Sequence, residues 1–283
     1  MTKLRTKMAD IGCLIRISEE TPMAAIRQAI ALAAENEAHL IVAIGVQHFT
    51  APYTPFWTGM ATSIVAEVNA KTQTQADSLA DTIRREAAAA GVDVDIDIIT
   101  GNFVDVAASA ANAARSVDLV VVDQQHGAFD TAEMLLEEAL FRSGRPVLVA
   151  SAKRPALGPV KKVVVGWDGS AHVVRAVSDA LAVFPGIEKI EIVTVTGEKS
   201  LVGRLPAAQF ARHLARKGVE AVLTEIDAKG RSVASVLDQH ASANGFDLIV
   251  TGAFGHSRLR EFLLGGVTVE LTSDAKSSVL MSY

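Results

Sequence analysis

The 283-residue chain reads as an α/β protein of two tandem, doubly wound, Rossmann-like halves, each a five-stranded parallel sheet flanked by helices. Three observations predict this class. Short β-branched runs alternate with longer segments whose apolar residues fall at helical spacing, the pattern of parallel βα units. The same five-strand series occurs twice. A stretch rich in proline, glycine and cations, SAKRPALGPVKK (151–162), separates the two series as a linker would.

In the first half the strands are IGCLIRI (11–17), HLIVAIGV (39–46), VDVDIDII (92–99), DLVVVD (118–123) and RPVLVA (145–150). In the second they are KVVVGW (162–167), KIEIVTV (189–195), VEAVLTEI (219–226), DLIVTG (247–252) and SSVLMS (277–282), with helices over 171–184, 206–217 and 231–243. Local echoes support an internal duplication: AGVDVDI matches KGVEAVL, VDLVVVD matches FDLIVTG, and RPVLVA matches SSVLMS. The expected domains are 1–152 and 160–283, each with strand order 3-2-1-4-5. One insert breaks the symmetry: QHFTAPYTPFWTGM (47–60) carries Phe49, Tyr53, Phe56 and Trp57. It reads either as a loop packing its own aromatics or as a lid or partner surface.

Composition excludes several classes. At 49% hydrophobic and 21% charged residues the chain has ample material for a core, and a net charge of −5 attracts neither nucleic acid nor an anionic membrane. Nor does any run reach the roughly 18 apolar residues of a membrane span. The single cysteine, Cys13, lies in the apolar run IGCLI and reads as a small buried side chain, with no internal disulfide and no metal cluster. No signal-peptide core follows the basic first residues, because Arg16, Glu19 and Glu20 interrupt it. A cytoplasmic location is expected.

The chemistry concentrates in GAFGHSRLREFLLGG (252–266). A strand, a glycine-rich loop and a helix start together present unpaired backbone N–H groups and the positive end of a helix dipole, which suit phosphate. Glycines let a phosphate approach those amides. The alternative is a tight turn without a ligand. The first strand of this half ends VVVGWDGSA, placing Gly166, Asp168 and Ser170 at a carboxyl end. Ligands of open α/β sheets bind outside such ends, where strand order reverses, and order 3-2-1-4-5 puts Asp168 and Gly252 on one crevice. Asp168 can accept hydrogen bonds from a ribose hydroxyl or an exocyclic amine. Capping of the following helix is the competing role for an Asp or Ser there.

These residues resemble the universal stress protein family, whose ATP-binding branch carries G-x2-G-x9-G-[ST] after the fourth strand and an Asp at the end of the first. Gly252, Gly255 and Gly265 match that spacing and Asp168 matches the Asp. The resemblance extends to strand order and length in both halves, and implies a tandem member. It further implies that Asp168 and the backbone near Val195 meet adenine, that Gly252 and Gly255 approach ribose and phosphate, and that Gly265, Gly266, Val267 and Thr268 hold phosphates. ATP or AMP with Mg²⁺ is the implied ligand. Gly266 stands where the family pattern has Ser or Thr, and a lost hydrogen bond to a charged group costs about 1.5–3 kcal/mol. Thr268 is a nearby hydroxyl, while His256, Ser257, Arg258 and Arg260 supply either cations for phosphate or a solvated face.

The first half lacks this equipment. Asp123 and His126 stand roughly where Gly252 and Gly255 do, Glu133, Glu137 and Glu138 replace the anion-binding turn, and Arg16 replaces Asp168. Negative side chains there repel phosphate, so no nucleotide is expected in that half. The family resemblance also implies that the two fifth strands pair into an internal pseudo-dimer, with a further homodimer and a protein partner as open possibilities. The leading function is an adenine-nucleotide sensor or regulator in stress response; a scaffold without nucleotide is the alternative. A dedicated enzyme is disfavoured: GEKS (197–200) lacks the preceding glycine of a phosphate-binding P-loop, and the seven histidines are scattered, His172 alone lying near Asp168.

Overall fold

The computed structural model describes the chain apart from residues 1–6, 19–20, 51–57, 125–130, 155–156, 198–204 and 254–265. The first half runs β1 (Asp10–Arg16), α1 (Ala24–Asn36), β2 (His39–Gln47), α2 (Thr58–Ala89), β3 (Val94–Gly101), α3 (Phe103–Ala113), β4 (Leu119–Asp123), α4 (Thr131–Arg142) and β5 (Val147–Ala150). The second runs β6 (Lys162–Gly166), α5 (Ala171–Val183), β7 (Lys189–Thr196), α6 (Ala207–Arg216), β8 (Glu220–Asp227), α7 (Val233–Ala243), β9 (Leu248–Gly252), α8 (Gly266–Asp274) and β10 (Val279–Ser282).

Each half has the order 3-2-1-4-5, and the two join as one ten-stranded sheet, β3-β2-β1-β4-β5-β10-β9-β6-β7-β8. Every pairing is parallel except the central one, where Val279, Leu280 and Met281 meet Val149, Leu148 and Val147 antiparallel. The expected two sheets are therefore continuous, because each fifth strand would otherwise be an open edge and the other half supplies its partner. Helices cover both faces, giving two apolar layers. The central strands are buried on both sides and read as unbroken apolar runs such as LVVV in β4 and LIV in β9. The outer strands β3 and β8 alternate, exposing Asp95 and Asp97 on one and Glu225 and Asp227 on the other. Rows of carboxylates on both edges discourage further strand addition.

Buried polar groups clasp the junction. Gln28 of α1, fully buried, donates from Nε2 to the Arg154 carbonyl at 2.9 Å and to Ser278 Oγ at 3.1 Å. Ser151 Oγ donates to the Ala275 carbonyl, and Gln124 Nε2 donates to the same carbonyl at 2.7 Å. Arg154 continues the linker's grip on the second half through the Phe246 carbonyl and Asp247.

The halves differ most at α2. It has 32 residues against 10 in α6, and it begins at Thr58, so the last residues of the expected loop insert are helical. Ala76, Ala80, Ile83 and Ala87 bury its C-terminal half at helical spacing, whereas Ile64 and Val68 in its first part are exposed. Asn69 ties the incoming chain to this part by accepting from the Phe49 N–H and donating to the Phe49 carbonyl, both at 3.0 Å. Tyr53, Phe56 and Trp57 lie outside the described residues.

Candidate nucleotide site

The candidate site lies at the carboxyl ends of β6 and β9, which are adjacent with Gly166 opposite Thr251. Asp168 stands two residues beyond β6, and Gly252 closes β9. The local sequence DGSA explains the turn. Asp168 Oδ1 accepts the Ser170 N–H at 2.9 Å, Gly169 takes the left-handed φ of +68°, and Ser170 Oγ accepts the Val173 N–H at 3.3 Å. Ser170 is thus the N-cap of α5, and the carboxylate of Asp168 braces the cap from one turn earlier rather than supplying it.

Two of the expected site glycines have a packing reason. A Cβ on Gly252 would lie 2.6 Å from the Val173 backbone nitrogen and 2.8 Å from His172 Cβ, so only glycine lets the first turn of α5 sit against the end of β9. A Cβ on Gly166 would lie 2.7 Å from Leu237 Cδ1 of α7. Gly266 differs: it opens α8, is exposed, and among the described residues nothing stands within 4 Å of its Cβ position. In that turn Val267 packs on the apolar layer under α7 and Thr268 is buried. Val195, one residue before the end of β7, pairs with Ile226 and packs on the same layer. Gly255, Gly265, His256, Ser257, Arg258 and Arg260 lie outside the described residues. The described part brings together a carboxylate just beyond one strand end, a glycine packed against the first turn of α5 at the next, and the start of α8 at Gly266.

Sequence reasoning missed Tyr283. His172, in the first turn of α5, stacks on its ring with centroids 4.7 Å apart and planes 15° from parallel, and Phe141 of α4 makes an edge contact with the same ring at 4.7 Å. A lone aromatic after the last strand has no periodicity to reveal it.

Strand register locates the corresponding residues of the first half. Leu119 opens β4 opposite Ile11, as Leu248 opens β9 opposite Val163, so Arg16 falls at Asp168 and Asp123 at Gly252. Asp123 Oδ1 accepts the Ala25 N–H of α1 at 2.8 Å, putting a carboxylate of the chain itself at that helix N-terminus. The α4 and α8 helices both end five positions before the strand that follows, which sets Glu133 at Gly265, and Leu135 and Leu136 at Val267 and Thr268. Both leucines are buried, and the cleft bounded by Ile15, Arg16, Gly45, Val106 and Leu135 is small and apolar. Below it, burial and then the charge of Asp123 push the Cys13 thiol well above its usual range. Among the described residues no three His, Cys, Asp or Glu side chains gather as a metal site, and no helix is long and apolar enough to cross a membrane.

A parallel sheet of order 3-2-1-4-5 in each half, covered by helices on both faces, defines the class of doubly wound α/β folds. Residues 159–282 match the model of the Universal stress protein family, and this half of the chain belongs to that family. The whole chain shares its fold with solved structures at low identity. A universal stress protein from Archaeoglobus fulgidus is 13% identical, covers 96% of this chain and 95% of its own, and has a TM-score of 0.69. A protein of unknown function from Pseudomonas aeruginosa is 14% identical, with coverage of 96% and 92% and a TM-score of 0.55. A putative universal stress protein from the same species is 14% identical, with coverage of 97% and 93% and a TM-score of 0.53. No curated protein matches the chain.

Proposed function

We propose that this protein is a stress-response regulator that binds one adenine nucleotide, ATP or AMP with Mg²⁺, in its C-terminal domain (160–283), and that it senses rather than transforms the ligand. The observation that carries the reading is the juxtaposition of Asp168 and Gly252 at adjacent strand ends, with α8 starting at Gly266. In this reading Asp168 holds ribose or adenine, the backbone near Val195 meets adenine, and Gly252, Gly255 and the turn from Gly265 to Thr268 receive the phosphates. The bound metal would neutralise phosphate charge. The N-terminal domain (1–152) takes no nucleotide: Arg16 stands at the place of Asp168, Asp123 at that of Gly252, and the buried Leu135 and Leu136 at those of Val267 and Thr268. It acts as a scaffold toward a protein partner, in the cytoplasm, as part of the intramolecular pseudo-dimer or of a further homodimer.

The test is chromatography of the supernatant from denatured purified protein, with calorimetric titration of ATP into wild type and Asp168→Ala. Release or binding of about one adenine nucleotide per chain, lost in the variant, supports the reading. A second reading, an interaction scaffold without nucleotide, is favoured by Gly266 in the hydroxyl position of the family motif. Absence of both bound nucleotide and heat at millimolar ATP would select it.

A further inference from the structure

Helix α5 touches the candidate site at one end and the other half of the molecule along its first two turns. At the site, the His172 backbone and Cβ and the Val173 nitrogen lie against Gly252, with no side chain between them. Toward the first half, the His172 ring stacks on Tyr283, which bears on Phe141 at the end of α4. One turn further, Arg175 Nη2 donates to the Gly144 carbonyl at 3.3 Å, in the turn that follows α4 and in which Gly144 has a φ of +68°. A backbone route runs in parallel: Ser282, which precedes Tyr283, pairs with Gly252, and its carbonyl accepts the Ala253 N–H at 2.9 Å.

We propose that α5 is a relay which reports occupancy of the C-terminal site to the α4–β5 turn of the first half through His172–Tyr283–Phe141 and Arg175–Gly144. This rests on the nucleotide reading above. The first turn of α5 packs directly on the Gly252 backbone, so a ligand that displaces Gly252 displaces that turn, and with it the His172 ring and the Arg175 guanidinium. The ring contact lies at the surface, with Phe141 43% and Tyr283 51% exposed. The receiving helix, α4, occupies in the first half the place of α8 in the second. A coupling of this kind is reciprocal, and release of the turn alters ligand affinity in return.

The experiment is amide hydrogen exchange of the full-length protein with and without saturating ATP, followed over residues 136–147, with ATP binding measured on the same samples by calorimetry. In wild type, ATP is expected to change exchange in this segment by about threefold or more. Tyr283→Ala combined with Arg175→Ala is expected to bind ATP and lose that response; Tyr283→Phe, which keeps the ring, is expected to retain it. Binding without any change at 136–147, or an equal change in the double variant, overturns the relay while leaving the nucleotide reading intact. No calorimetric binding in wild type removes both.

Discussion

Gly252 shows how one residue serves packing before chemistry. Its missing Cβ is demanded by the first turn of α5, at 2.6 Å from the Val173 nitrogen, so Gly252→Ala must displace backbone rather than a flexible side chain. The expected cost is about 1–3 kcal/mol, read as a lower urea midpoint, even with no nucleotide present. A polar cluster under α7 makes a second residue-scale prediction. Glu191 Oε1 accepts from Thr224 Oγ1 at 2.6 Å and meets His240 Nε2 at 2.9 Å, all three partly buried. Glu191→Leu leaves both partners unmatched and should lower stability by about 1–3 kcal/mol, whereas Glu191→Gln should cost less. At Cys13, burial first and the Asp123 charge second raise the thiol pKa in the folded state. Below the unfolded value of about 8.5 both states hold the proton; above it only the folded state does, so stability falls as pH rises past about 8.5. Urea midpoints should therefore drop between neutral and alkaline pH more in wild type than in Cys13→Ala, and a thiol reagent should label the native protein only through unfolding.

At the scale of elements, the ten strands were legible because apolar β-branched runs mark them, and the observed ends fall close to the expected ones, as β9 at Leu248–Gly252 against 247–252. The long α2 was not legible. Its first part, TSIVAEVNAKTQT, buries no stripe, so periodicity gives no signal until Ala76. The antiparallel β5–β10 junction followed from family resemblance and from the need to cover an edge, but its polar clasp did not, because Gln28 and Ser278 are 250 residues apart in the chain. That clasp is testable. Gln28→Leu removes the bonds to the Arg154 carbonyl and Ser278 Oγ within a buried site, and should destabilise the protein by about 1–3 kcal/mol. A midpoint equal to wild type would mean that the junction is held by strand pairing alone. The placement of Asp168 and Gly252 at neighbouring strand ends was legible from the strand order; the split of capping between Ser170 and Asp168, and the ring of Tyr283, depend on tertiary placement that no local pattern encodes.

On the scale of the whole molecule, duplication has produced two halves with one sheet and unequal equipment. Register sets Arg16 at the place of Asp168 and Asp123 at that of Gly252, and Asp123 accepts the Ala25 N–H at the start of α1. Replacing Asp123 by glycine alone should not create a second site, since Arg16 and the buried Leu135 and Leu136 remain. The central claim is thus one nucleotide per chain, held by the second half. The measurement that tests it most directly is the stoichiometry of ATP binding to the full-length protein by calorimetric titration, with Asp168→Ala and Asp123→Gly beside wild type. About one site is expected in wild type and Asp123→Gly and none in Asp168→Ala. Two sites per chain, or one that survives Asp168→Ala, would contradict it.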